Sequence, residues 1–246
     1  MKNEVKICAI SDTHGALPND IEKCDILLIG GDLDPATNHN RTFQQTWIYN
    51  NFIPWAKAKI DKGIVGDLIF VCGNHDFYFE SLMKKDEEEV FRSDLPEHIH
   101  YLRDSMVEIQ GIKIYGTPWT PSFGNWAFMT GEQQLDEIFS KIPENIDIIL
   151  SHGPAEGYSD CIEQEMYNVY TGRLTSARIE HLGSSSLIHH IERVRPEWVF
   201  TGHIHSGNHN VTEKYVDGQV IKFACVSILD EHYDVFYTPF KLKYIK

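Results

Sequence analysis

Apolar residues along this chain gather into short runs of isoleucine, valine and leucine, and polar residues follow each run at once. Residues 5–10, 26–29, 68–72, 146–150 and 198–200 are unbroken enough to predict buried strands. Helices are predicted between them. Residues 42–52 place Phe43, Trp47 and Ile48 on one face, and Pro54 is expected to interrupt this helix and open a second short one through Lys62. Residues 81–91, 131–141 and 184–194 are the other helical stretches, and this alternation indicates an α/β protein with buried sheet. Two regions depart from it: residues 106–114 predict a hairpin turning at Gly111, and residues 210–243 a run of antiparallel strands turning at Asp217-Gly218. Residues 153–183 show no clear period, and such an insertion is expected to be a lid or binding loop. The run Lys84-Lys85-Asp86-Glu87-Glu88-Glu89 carries opposite charges at helical spacing and is expected to be a solvated helix face.

Composition narrows the class. The 246 residues show no internal break, so one domain over 1–246 is expected. Hydrophobic residues at 42% and charged residues at 24% fit a globular chain and argue against disorder and fibres. Asp and Glu number 36 against 22 Lys and Arg, and the resulting charge of −14 argues against polymeric nucleic acid as a partner. No apolar run approaches the roughly 18 residues that span a bilayer, so no membrane association is expected. The opening MKNEVKICAISDTHG lacks a signal peptide's long apolar region and reads as a first strand. Five cysteines, odd in number and without CxxC spacing, argue against a disulfide framework or a zinc site built from cysteines, and favour the cytoplasm.

The candidate chemistry lies directly after the strands. Asp12 and His14 follow the first, Asp32 the second, Asn74, His75 and Asp76 the third, His152 the fourth, and His203 and His205 the last. Ligands of α/β sheets bind beyond the carboxyl ends of strands, so five strand ends are expected to deliver carboxylate, amide and imidazole to one edge. A single Asp or His in such a place is ordinarily a turn or cap residue; five in succession, each beside glycine, predict a metal site. Oxygen and imidazole donors suit Mn, Fe, Zn, Co or Ni. Seven candidate ligands are too many for one tetrahedral ion and suit two divalent metal ions sharing a carboxylate. Asp32 is the natural bridge between ions about 3.5–4 Å apart. Two such ions against two carboxylates leave a positive site suited to a small anion.

In this order, Asp-x-His, Gly-Asp, Gly-Asn-His-Asp, a lone His and Gly-His-x-His resemble the calcineurin-like metallophosphoesterase superfamily, over residues 7–205. GTPWTPSFGNW (residues 116–126) and SHGP resemble more narrowly its metallophosphoesterase-domain-containing phosphodiesterase branch. The resemblance implies two mixed β-sheets packed as a sandwich flanked by helices. It implies that Asp12, His14 and His205 hold the first metal, that Asp32 bridges, and that Asn74, His152 and His203 complete the second. His75 would be the general acid to the leaving oxygen, with Asp76 orienting its ring, while a hydroxide bridging the cations attacks phosphorus.

One departure bears on the substrate. Where the protein phosphatases of the superfamily continue their second block with an Arg, this chain reads GGDLDPATN, and no Arg adjoins any motif. A diester monoanion needs less positive charge than a monoester dianion, so a small phosphodiester, with cyclic nucleotides among the candidates, is the expected substrate. The alternatives are a phosphomonoesterase or protein phosphatase on the same scaffold, and a partner-binding scaffold with a vestigial metal site. Trp119, Phe123 and Trp126 could stack on a base or pack the core. His39 follows the bridging block closely. The oligomeric state is not expressed in the pattern.

Overall fold

The computed structural model describes residues 4–167 and 174–246, with fifteen strands and six α-helices among them. One sheet has the order β15-β1-β2-β3-β4, formed by Phe240–Ile245, Glu4–Ile10, Cys24–Ile29, Val65–Phe70 and Ile99–Tyr101. Its strands are parallel except β15, which runs antiparallel to β1. The second sheet has the order β13-β14-β12-β9-β6-β5, formed by Thr212–Val216, Gln219–Cys225, Trp198–Thr201, Ile148–Ser151, Ile112–Thr117 and Ser105–Ile109. Its four central strands are parallel and its two edge strands antiparallel. Between Ser151 and Thr201 the chain also forms the ribbon β10 (Cys161–Tyr167) and β11 (Leu174–His181), and a short pair, β7 (Thr120–Pro121) with β8 (Met129–Thr130), precedes it.

Alternate residues of each strand face opposite ways, and here both directions are apolar. Val5, Ile7, Ala9, Ile26 and Leu28 of the first sheet meet Ile114, Ile148, Leu150 and Phe200 of the second in the layer between the sheets. Cys8, Ile10, Leu27, Ile29 and Phe70 face outward onto Ile48, Phe52, Phe79 and Phe91. These come from the helical segment α1 (Arg41–Trp47), a π-helical turn and α2 (Ile53–Asp61), and from α3 (Phe77–Lys84) and α4 (Glu88–Asp94). On the opposite side Ile149, Val199 and Phe223 pack on Leu135 and Phe139 of α5 (Glu132–Phe139) and on Leu187 and Ile191 of α6 (Ser185–Val194). The architecture is therefore the sandwich of two mixed sheets flanked by helices that the motif resemblance implied. Double-sided burial also accounts for the unbroken apolar runs.

Four local expectations need correction. Pro54 does not break the first helix: a π-helical turn at Ile48–Phe52, closed by the Ile53 N–H on the Ile48 carbonyl, precedes it, and Pro54 lies in the first turn of α2, where its missing N–H is tolerated. The helix expected over 81–91 is two helices, because the chain turns through a left-handed Asp86 (φ 56°). The antiparallel run over 210–243 is split between sheets, with β13 and β14 turning at Asp217-Gly218 but β15 crossing to pair with β1. Within 153–183 the chain forms the β10–β11 ribbon, with Cys161 opposite His181; residues 168–173 lie outside the described residues. A ribbon that joins neither large sheet need not bury one face, so its sequence shows little alternation.

The acidic run is also not uniformly solvated. Glu88 is buried and paired with Arg92 at 2.8 Å and with the Nε of Arg103 at 2.8 Å, whereas the Glu89 side chain is 90% exposed. Replacing Glu88 by Ala should lower the unfolding free energy by about 3 kcal/mol, the low end for breaking a buried ion pair because both arginines are only partly buried. Glu89→Ala should stay within about 0.5 kcal/mol. Urea unfolding of the two variants checks the contrast.

Candidate metal centre

The loops that leave β1, β2, β3, β9 and β12 are laced together by backbone hydrogen bonds. Asp12 N–H donates to the Gly31 carbonyl, His14 N–H to that of Asp32, and Gly202 N–H to that of His152. The chain beyond β14 ties the two sheets, with Val226 N–H on Thr201 and Ile228 N–H on Ser11. A Cβ on Gly73 would collide with Asp32 and His152, and one on Gly202 with Asp12, so glycine is what permits this approach. Asp12, His14, Asp32 and His203 themselves adopt left-handed backbone, at φ 52°, 41°, 51° and 68°. For residues with a Cβ this conformation costs of order 1 kcal/mol each, and such strain gathers at functional sites.

The seven expected ligands meet at this edge. Donor atoms of Asp12, His14 and His205, of Asp12, Asp32 and His152, and of His14, Asp32 and His75 form overlapping groups whose members lie within 4.8 Å of one another. Asn74 Oδ1 is 2.9 Å from His152 Nε2, and the His203 ring is 5.2 Å from that of His152. Backbone N–H groups aim both carboxylates: His203 N–H reaches both oxygens of Asp12 at 3.0 Å, and His75 N–H reaches Asp32 Oδ1 at 2.8 Å.

The tautomers of two imidazoles follow from their partners. His152 Nδ1 is 2.9 Å from the Gly30 carbonyl and His205 Nδ1 is 2.9 Å from that of Asp230. A carbonyl can only accept, so both Nδ1 atoms carry the proton. In the neutral rings each Nε2 lone pair faces a carboxylate oxygen at 3.5 Å, Asp32 for His152 and Asp12 for His205. This is the second-sphere pattern that orients imidazole toward a metal. Among the described residues nothing hydrogen-bonds either ring nitrogen of His14, although it is withdrawn from water, and its Nε2 lies 3.6 Å from Asp32 Oδ2.

Electrostatics agree with that reading. Burial, reinforced by the neighbouring Asp76 and Asp12, pushes the Asp32 carboxyl well above its ordinary range. Burial holds His14 and His203 down to about 3 and His75 to about 4, and lowers His152 as well. His205 moves the other way: its burial is outweighed by the hydrogen bond to Asp12, so a proton is drawn into the gap a cation would fill. Neutral imidazoles facing buried carboxylates, with orphaned nitrogens on His14, form a donor set that fits divalent cations.

Two expected roles look different once the side chains are placed. Asp76 does not orient the His75 ring: its Oδ1 accepts from the N–H groups of Leu33 (3.0 Å) and Asp34 (3.1 Å), and its Oδ2 from Gly73 (2.7 Å). It locks the loop after β2 to the loop after β3. The partner of His75 Nδ1 is His39 Nε2, at 3.0 Å. Trp119 belongs to the core, donating its Nε1–H to Asp104 and packing edge-on against Phe128. Trp126 lies against His75, with ring centroids 4.5 Å apart, and Phe123 is exposed beside His203. A cavity of about 670 Å³ opens in front of His14 and His75, bordered by His39, Trp126, Leu229 and Tyr233, and among the described residues no Lys or Arg lines it. Tyr233, 4.8 Å from the His14 ring, has no motif around it; the only sequence hint to His39 was its closeness to the bridging block.

Asp34 gives a pH test. It is fully buried, and burial together with the neighbouring Asp76 carboxyl pushes it up to about 9. From about pH 4 to that value the unfolded chain gives up a proton the native chain keeps, so stability falls as pH rises through this window. In metal-free protein, Asp34→Asn should therefore raise Tm by a margin that grows from about pH 5 to about pH 8.5. A margin that stays constant across thermal scans would show that Asp34 is ionised throughout.

Comparison with known proteins bears on the same residues. The calcineurin-like phosphoesterase family profile matches residues 5–207, which include every loop that carries one of the seven expected ligands. Human metallophosphoesterase domain-containing protein 1 is 31% identical over 217 residues, covering 82% of this chain and 61% of its own. UPF0046 protein T07D4.2 of Caenorhabditis elegans is 27% identical over 261 residues, covering 95% of this chain and 58% of its own. The chain thus spans about three fifths of the length of these relatives. TT1561 of Thermus thermophilus superposes with a TM-score of 0.57 over 98% of this chain and 99% of its own, at 13% identity, a likeness of fold. With the profile running from β1 through the last pair of histidines, the chain belongs to the calcineurin-like phosphoesterase family.

Proposed function

We propose that this protein is a two-cation phosphodiesterase acting on a small substrate, with cyclic nucleotides the foremost candidates. Asp12, His14 and His205 would hold one ion, Asn74, His152 and His203 the other, and Asp32 both. When bound, the ions supply Lewis acidity toward the phosphoryl oxygens and an activated water. Family membership supports phosphoester chemistry. The observation that carries the diester reading is the cavity in front of His75, which no Lys or Arg among the described residues lines. Among the described residues, a phosphate dianion there meets none of the cationic side chains that ordinarily recognise it. Trp126 and Tyr233 border the same cavity and offer ring faces to a nucleobase.

The remaining roles belong to this chain's own groups. In the tautomer in which His39 Nε2–H donates to His75 Nδ1, the neutral His75 ring carries its proton on Nε2, the atom free to hydrogen-bond the leaving oxygen. Trp126 against the ring restricts its rotation. Asp76 keeps the His75 loop registered against the Asp32 loop rather than acting on the proton. The five free cysteines, four of them buried, support a reducing compartment such as the cytoplasm.

With Mn added after chelation, bis-p-nitrophenyl phosphate should be hydrolysed faster than p-nitrophenyl phosphate; a clear preference for the monoester defeats the diester reading. His75→Ala should lower diesterase turnover by roughly 10²–10⁴-fold with bound metal unchanged by elemental analysis. His39→Phe, which removes the donor to Nδ1, should lower turnover by about tenfold, with the pH profile shifted, because the proton on His75 is no longer directed to Nε2. Equal losses in both variants would mean that His39 contacts the reacting groups itself.

A further inference from the structure

Among the described residues, one group of metal-ligating side chains shares no member with the strand-end centre. Asp160, Cys161 and His181 meet at the foot of the β10–β11 ribbon, where Cys161 and His181 are directly opposite in register. His181 Nδ1 lies 3.1 Å from each oxygen of Asp160 and 3.4 Å from Cys161 Sγ, and Sγ is 3.5 Å from Asp160 Oδ1. Zinc bonds of about 2.3 Å to sulfur and 2.0–2.1 Å to nitrogen and oxygen set tetrahedral edges of about 3.5 Å for S···N and S···O and about 3.3 Å for N···O. The three observed separations match those edges to within a few tenths of an ångström.

We propose that Asp160, Cys161 and His181 form a separate mononuclear site for a borderline-soft divalent cation of the Zn²⁺ type. Thiolate and carboxylate together neutralise the ion, and the single sulfur donor distinguishes this site from the all-oxygen-and-imidazole centre at the strand ends. Asp160 is fully buried, and the N–H groups of Gly157 (3.0 Å) and Gly183 (3.4 Å) donate to its Oδ2, the outer support that ligating carboxylates require. Cys161 and His181 are exposed, which leaves the fourth position to water. A hydrolytic Cys-His-Asp triad does not fit the geometry. Such a triad needs the thiol and the carboxylate on different ring nitrogens, whereas here both approach Nδ1, and Nε2 is 3.9 Å from sulfur. A bound ion would pin both strand ends of the ribbon to the loop before it. In that loop Ser159 donates to the Asn208 carbonyl, three residues beyond His205.

Cobalt separates the two centres, because only this one can give a sulfur-to-cobalt charge-transfer band. Titration of the full chain with Co²⁺ should produce that band with saturation at one ion per chain. Cys161→Ser should abolish it and lower zinc content by one equivalent, while diesterase turnover stays within about twofold of the parent. His181→Ala should weaken the band's midpoint by at least about tenfold. Saturating Zn²⁺ should slow alkylation of Cys161, the one exposed cysteine, by a similar factor. No thiolate band in the parent, a band that survives in Cys161→Ser, or an unchanged midpoint in His181→Ala would each overturn the site. The band, its midpoint and the alkylation rate do not depend on what the strand-end centre hydrolyses.

Discussion

Withdrawing Asp12 and Asp32 from water is the constraint around which the rest of the centre is arranged. Both carboxylates are buried, and a second buried pair, Asp34 and Asp76, stands beside them. Four negative groups so placed cannot all ionise without compensation. Part of it comes from the backbone, since Asp76 takes three N–H groups and Asp12 and Asp32 take those of His203 and His75. The rest is left to protons or cations, because the imidazoles turned toward the carboxylates offer lone pairs rather than N–H groups. The carbonyls of Gly30 and Asp230 enforce that choice by claiming the Nδ1 protons of His152 and His205. A backbone oxygen several ångströms behind each ring thus decides what the ring can bind in front.

The sandwich makes this possible by removing freedom from the strand ends. Each central strand is gripped on both faces, by the opposing sheet and by helices, so its last residue is held firmly. The candidate ligands from the first sheet and those from the second must still be brought to one place, and the segment from Val226 to Ile228 does so by pairing first with Thr201 and then with Ser11. Glycines at 73 and 202 let the loops close to distances that any side chain would prevent.

Much of this was legible in the sequence, for identifiable reasons. Buried strands announce themselves as unbroken apolar runs, and the residue after each run is the one the fold presents to ligands. Asp12, Asp32, Asn74, His152 and His203 could be read in that way. The hairpin at Gly111 was equally plain, since Gln110 and Gly111 both take the left-handed conformation a two-residue turn demands. Pairings between distant side chains leave no such trace. Nothing in GNHD says that Asp76 turns to the backbone of Leu33 while His75 turns to His39, and nothing in LDEHYD brings Tyr233 beside His14. The charged run at 84–89 misled because periodicity cannot show that Glu88 meets Arg103, fifteen residues away.

The left-handed backbone at Asp12, His14, Asp32 and His203 carries a consequence for how such a protein can change over generations. At these four positions glycine would relax the main chain while removing a candidate metal ligand, so backbone ease and donor chemistry pull in opposite directions. A lineage with no use for cations at this edge could accept glycine there and keep the sandwich, whereas Asp and His are held against the preference of the backbone itself.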